Sequence, residues 1–179
     1  MTQITLAVTG SISAYKAADI TSQLTKLGFE VKVLMTPAAR KFITPLTLQI
    51  HSKHQVGLDV MIEDDPQRIE HIDIGKETDI FLVAPASANT IAKLAMGLAD
   101  NMVTSTALAL PQGTKKLLAP AMNTKMLEHP ATQRNLKLLQ DYGYQIIQPR
   151  EALLACGDKG SGALASVDTI VETVKENCL

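Results

Sequence analysis

The stretch ITLAVTGSISAYKAADITSQLTKLGFEVKVLMT, residues 4–36, decides the fold. Its first six residues form a short apolar run rich in β-branched side chains, the signature of a strand buried on both faces. Ala17, Ile20, Leu24 and Leu27 then recur at helical spacing, and Gly28 stands where a helix C-terminus accepts a left-handed residue. Residues 30–36 return to strand character. Strand, helix and strand within so short a span make a βαβ unit, with parallel strands and a right-handed crossover.

The same alternation runs outward from this unit. Residues 79–86 (DIFLVAPA) and 115–122 (KKLLAPAM) read as the third and fourth strands, and residues 144–149 as the fifth. Pro37 opens a short helix through Phe42, and residues 45–67 read as irregular or partly helical surface. Two helices joined near Asn101 follow the third strand. One helix is predicted over 124–143 and another over 167–178, the latter capped by Ser166 or Asp168. Between the last strand and the last helix, residues 150–165 form a small-residue loop with Gly157, Gly160 and Gly162. No internal repeat is visible. The expected architecture is a doubly wound, mainly parallel α/β sheet, Rossmann-like or flavodoxin-like, with residues 1–179 as one domain.

Composition narrows the function. Of 179 residues, 46% are hydrophobic but only 3% aromatic, so the core must be aliphatic. Seventeen basic against eighteen acidic side chains leave a net charge of -1, which offers no electrostatic footprint for nucleic acid or an anionic membrane. The apolar region 94–110 is broken by Gly97, Asp100 and Asn101, short of the ~20 residues that a membrane-spanning helix needs. The N-terminus enters a strand with no charged segment or cleavage pattern before it. Two cysteines, Cys156 and Cys178, make no disulfide framework and are expected as free thiols in a reducing cytoplasm.

In open α/β sheets, ligands bind beyond the carboxyl ends of the strands, and here the unusual residues gather there. After the first strand comes Thr9-Gly10-Ser11-Ile12-Ser13, whose small residues let backbone amides approach a phosphate at a helix start. The plain alternative is a tight turn capped by Ser13. The pattern is neither GxGxxG nor a Walker loop, which favours a mononucleotide over a dinucleotide. Pro85-Ala86-Ser87-Ala88-Asn89-Thr90 follows the third strand, with Ser87 or Asn89 as a simple cap on the plain reading. Pro120-Ala121-Met122-Asn123-Thr124-Lys125-Met126 follows the fourth, where Asn123 can cap and the methionines can fill core.

GSISAYK at 10–16, PASANT at 85–90, PAMNTKM at 120–126 and ACGDKGSG at 155–162 resemble the flavin-dependent cysteine decarboxylase family, in the family's order and across essentially the whole chain. The Cys-Gly-Asp segment narrows the resemblance to the branch that acts on 4′-phosphopantothenoylcysteine in coenzyme A biosynthesis. His71-Ile72-Asp73-Ile74 occupies the place of the family's histidine. Two departures stand out. Leu127 replaces a common Trp, which bears on packing, and Ala163-Leu164 replaces a common Arg-Met after the flap's last glycine, which bears on how the flap grips the substrate.

The resemblance implies FMN at Gly10, Ser11, Ser13, Thr36, Ser87, Asn89, Ser105 and Thr106. It implies a mobile substrate flap near 150–165 and a homo-oligomer, trimer or dodecamer, with flavin near the subunit boundary. Direct loss of CO2 from the substrate's Cα leaves a carbanion with nowhere to delocalise. Oxidising the neighbouring CH2–SH to a thioaldehyde removes that obstacle, because decarboxylation then yields a stabilised enethiolate. His71 is the implied base, Asn123 the implied carboxylate holder, and Met126 and Ala121 shape the substrate pocket. Cys156 is the implied proton donor for the final reduction to the saturated thiol. Other histidines, His51, His54 and His129, read as surface residues, and no spacing suggests a metal.

The substrate phosphate has no assigned partner at this level, with Lys125 and Lys159 as candidates. The enzyme that makes the substrate is expected on a separate polypeptide. A peptidyl-cysteine decarboxylase, which stops at the enethiol, is disfavoured by Cys156. A flavin prenyltransferase leaves His71, PAMNTKM and Cys156 together unexplained. A catalytically silent flavin-binding protein is expected to lack the catalytic residues that this chain retains.

Overall fold

A computed structural model describes residues 1–178 apart from Asp64, Cys156 and Asp158. Strand β1 (Gln3–Val8) leads through a 3₁₀ turn (Ile12–Lys16) into α1 (Ala17–Lys26), and Gly28, at φ 88°, turns the chain into β2 (Glu30–Met35). A second 3₁₀ turn (Ala39–Lys41) and α2 (Pro45–Ser52) follow, then α3 (Glu70–Glu77) and β3 (Ile80–Ala86). Next come α4 (Ala88–Met96), α5 (Met102–Leu108) and β4 (Lys115–Pro120). The chain ends with α6 (Thr124–Glu128), α7 (Pro130–Asp141), β5 (Tyr144–Ile146), the hairpin β6 (Arg150–Leu153) and β7 (Lys159–Ala163), and α8 (Val167–Glu176).

The main sheet runs β2-β1-β3-β4-β5, and each pairing in it is parallel. Alternate residues of its strands feed two cores. Ile4, Leu6 and Val8 of β1, with Ile80, Leu82 and Ala84 of β3, pack in the cluster that includes Ile20 of α1, Leu48 of α2 and Ile170 of α8. Ala7, Phe81 and Val83 point the other way, into the cluster with Ile74, Ile91, Val103 and Leu139 of α3, α4, α5 and α7. Burial on both faces is why these strands read as unbroken apolar runs. The strand order reverses direction between β1 and β3, which makes the gap beyond their carboxyl ends the topological switch point.

Four local expectations differ. The helix predicted over 124–143 is two helices, because Pro130 lacks an N–H and cannot lie inside a helix. Instead it opens α7, where His129 Nδ1 accepts from Ala131 N at 3.1 Å and Gln133 Nε2 donates to Leu127 O at 2.7 Å. The segment 150–165 is an antiparallel hairpin rather than a loop, with Arg150 in register with Ala163. Helix α3, unassigned in the sequence, buries only Ile74 and Gly75 and has no side-chain cap, so its periodic signal is weak. The helix expected from Pro37 is a single 3₁₀ turn.

Candidate active site

Thr9 builds the floor of the site. It follows β1, is fully buried, donates its hydroxyl to Pro85 O at 2.6 Å and accepts from Ser87 N at 2.9 Å. One side chain thus ties the end of β1 to the end of β3. Ser87 Oγ in turn accepts from Thr90 N at 3.2 Å and starts α4, while Ser11 Oγ accepts from Ser13 N at 3.3 Å and starts the 3₁₀ turn. At Gly10 the backbone passes so close to the neighbouring loop that a Cβ would fall 2.5 Å from Ala38 Cβ.

Above this floor lies a cleft of about 480 Å³. Gly10, Ser11, Ser13 and Ser87 line one bank; Ala121, Met122, Asn123 and Met126, after β4, line another. The hairpin closes a third side with Arg150, Leu153, Ala155 and Gly162. The outer lip is apolar, and Ile12, Tyr15, Phe42 and Leu153 are all exposed there. Asn123 caps α6 by accepting from Lys125 N at 2.9 Å.

Among the described residues, two hydrogen bonds hold the hairpin to this bank. Met122 N donates to Gly162 O at 2.9 Å, and Thr124 Oγ1 donates to Ser161 O at 2.6 Å. Glycine is required at 162, where φ is 131° and a Cβ would lie 2.3 Å from Met122 O. The cleft also holds Lys16 and Arg150, while among the described residues its lining contains no Asp or Glu. Burial in the cleft wall, and secondarily the charge of Arg150, lower the pKa of the Lys16 ammonium from its ordinary value.

Seven residues singled out in the sequence come together in this cleft: Gly10, Ser11, Ser13, Ser87, Ala121, Asn123 and Met126. Five others do not line it. Thr36 is buried beside β2, where its hydroxyl accepts from Ala39 N at 3.2 Å, and Asn89 is exposed on the first turn of α4. Ser105 and Thr106 are buried in α5. His71 begins α3, which packs on α5. Both His71 Nδ1 and Thr106 Oγ1 are buried polar atoms without a hydrogen-bond partner among the described residues. Cys156 lies outside the described residues. Sequence reasoning missed Thr9 as a strand tie, although it quoted the residue, and missed Lys16, Phe42 and Arg150 as cleft residues. Lys16 was legible as the last residue of GSISAYK, but Phe42 and Arg150 reach the cleft only through tertiary contacts.

The family model described as Flavoprotein matches residues 1–179. The chain is 62% identical over 174 residues to the probable phosphopantothenoylcysteine decarboxylase of Streptococcus mutans, covering 97% of each chain. It also matches the coenzyme A biosynthesis bifunctional protein CoaBC of Bacillus subtilis at 44% identity, but spans only 42% of that longer protein. Among solved structures, a PPC decarboxylase with serine in place of a cysteine, complexed with pantothenoylaminoethenethiol, superposes with a TM-score of 0.90 at 32% identity. The match covers 98% of this chain and 97% of that one. The FMN binding protein AtHal3 superposes with a TM-score of 0.84 at 32% identity over 98% and 95% of the two chains.

Proposed function

The chain belongs to the Flavoprotein family, and from that premise we propose that it is an FMN-dependent decarboxylase of 4′-phosphopantothenoylcysteine in coenzyme A biosynthesis. One observation carries the reading: the loop at 10–13, Ser87 and the PAMNTKM element line a single cleft at the switch point, under a hairpin that begins at Arg150. A volume of about 480 Å³ suits a small-molecule ligand, and among the described residues no carboxylate in the lining opposes a phosphate.

The residues fit FMN. The close backbone at Gly10 and the hydroxyls of Ser11, Ser13 and Ser87 form the cradle, with Thr36, Asn89, Ser105 and Thr106 as the family's remaining contacts. Bound FMN supplies the two-electron oxidation of the substrate's CH2–SH and the reduction that later restores it. Asn123 holds the carboxylate. Its Oδ1 accepts from Lys125 N, which fixes the side chain at the start of α6 on the cleft bank. A neutral amide binds a carboxylate without the charge that resists departure of CO2. Ala121 and Met126 shape the pocket around it.

His71 serves as base and positioner. Because it lies outside the cleft of its own chain, it enters the site across a subunit boundary of a homo-oligomer, a trimer or a dodecamer. Cys156, on the flap over 150–165 of the single domain 1–179, gives the proton of the final reduction. The enzyme is cytoplasmic, acts on a small molecule, and uses neither nucleic acid nor membrane as a partner. No described helix is long and apolar enough to cross a membrane.

The test is anaerobic incubation of the purified protein with 4′-phosphopantothenoylcysteine, followed by mass spectrometry and flavin absorbance. A yellow protein that releases CO2 and the saturated thiol supports the proposal. A yellow protein that leaves this substrate intact transfers the reading to a peptide decarboxylase or a regulator. A colourless protein that FMN does not reconstitute sinks the flavin assignment. Equal turnover by wild type and His71→Ala removes His71 from the mechanism.

A further inference from the structure

Two cations share the cleft, and none of the ion pairs among the described residues involves either of them. Lys16 closes the 3₁₀ turn after β1, and Arg150 opens β6 at the foot of the hairpin. The eight ion pairs found among the described residues all lie elsewhere. Arg150 Nε donates to Leu164 O at 3.1 Å, which anchors the guanidinium across the hairpin. Its Nη groups have no partner among the described residues. Lys16 is partly buried and Arg150 is exposed, and two like charges on one cleft attract an anion that can meet both. The pKa of Lys16 is lowered first by burial and only secondarily by the charge of Arg150.

We propose that Lys16 and Arg150 form the subsite for the phosphomonoester of the substrate, an assignment that rests on the decarboxylase reading above. A phosphate dianion matches a guanidinium fork and an ammonium better than any neutral group does. The substrate's carboxylate is the wrong occupant. Two cations on it stabilise the ground state that decarboxylation must leave, whereas a phosphate remote from the reacting carbon contributes binding without resisting the chemistry. The cofactor's phosphate already has the loop of Gly10, Ser11 and Ser13. Register supports the choice of Arg150. Its cross-strand partner is Ala163, and both residues of this pair line the cleft.

The experiment compares flavin-loaded wild type, Lys16→Gln and Arg150→Gln on 4′-phosphopantothenoylcysteine and on pantothenoylcysteine, which lacks the phosphate. FMN affinity is measured alongside by fluorescence quenching. Each variant is expected to lose about 10–100-fold in kcat/KM on the phosphorylated compound, the range for a lost charged hydrogen bond. On the unphosphorylated compound the change is expected to be much smaller, and FMN affinity is expected to hold. Arg150→Gln also breaks the bond to Leu164 and loosens the hairpin, so Lys16→Gln, which leaves that bond intact, is the cleaner of the two. Equal losses on both compounds overturn the assignment, as does phosphate selectivity that survives both substitutions. A loss confined to FMN affinity overturns it too, and gives the pair to the cofactor's phosphate. A wild type that releases no CO2 from either compound refutes the decarboxylase reading, and this assignment falls with it.

Discussion

Replacing Thr9 by Val tests whether the floor of the cleft is held by one hydroxyl. Valine keeps the shape of threonine and removes only the oxygen. Two hydrogen bonds go with it, the 2.6 Å donation to Pro85 O and the 2.9 Å acceptance from Ser87 N. The ladder between β3 and β4 shifts register between Val83 and Ala86, and Thr9 supplies a partner to the Pro85 carbonyl within that break. An unpartnered buried polar group costs about 1–3 kcal/mol, and Ser87, half-buried at the cleft edge, lies toward the lower end of that range. The sum is about 2–4 kcal/mol. For a chain of this length each kcal/mol lowers Tm by about 2–4 °C, so Thr9→Val is expected to melt roughly 5–15 °C early. Thr9→Ser keeps the hydroxyl and loses one buried methyl, a cost of about 1 kcal/mol. Thermal unfolding by circular dichroism, at one protein concentration because assembly shifts Tm, therefore ranks wild type first, serine close behind and valine last. FMN affinity follows the same order, since the tie sets where Ser87 meets the cleft. The reverse ranking, valine near wild type and serine worse, refutes the argument and shows that methyl packing rather than the hydroxyl holds the two strand ends.

Three further expectations follow from the same geometry. Gly162→Ala requires a conformation at φ 131° that alanine reaches only at about 1–3 kcal/mol, and it pushes a methyl onto Met122 O. The hairpin should then lift, seen as faster proteolysis within 150–163 and a raised KM, with global stability falling by less than for Thr9→Val. Cys156→Ser should accumulate the oxidised enethiol product; full turnover to the saturated thiol removes Cys156 from the mechanism. The Glu77 carboxyl is held below its ordinary pKa, first by the hydrogen bond from Lys32 and less by Gln3 and Arg68. Because the native pKa lies below the unfolded one, its stabilisation is complete above the ordinary carboxylate range and is lost as pH falls through the native value. Urea midpoints measured between about pH 3 and 5 should show it. Glu77→Gln should flatten part of that slope, by less than about 1 kcal/mol for so exposed a pair.

How far the sequence led depends on what each residue's role requires. Strands of the main sheet are legible because both of their faces are buried, which writes each of them as an apolar run of the right length. Hairpin β6–β7 is not, because glycines at 160 and 162 serve a docking partner far away in sequence, Thr124 and Met122, and carry no strand pattern of their own. The motifs located the site because every strand end that carries one points to the same edge of the sheet. They did not say which way each side chain leaves that edge. Ser87 turns into the cleft while Asn89, two residues on, faces solvent. Thr36 turns back to accept from the backbone of its own turn. His71 is on the α3–α5 side of the sheet, and only a second copy of the chain brings it to Asn123 in the proposed mechanism. Arg150 marks the limit most clearly. Its place in the cleft follows from pairing with Ala163 across the hairpin, so a basic residue that looks like ordinary loop surface becomes a cleft cation through register alone.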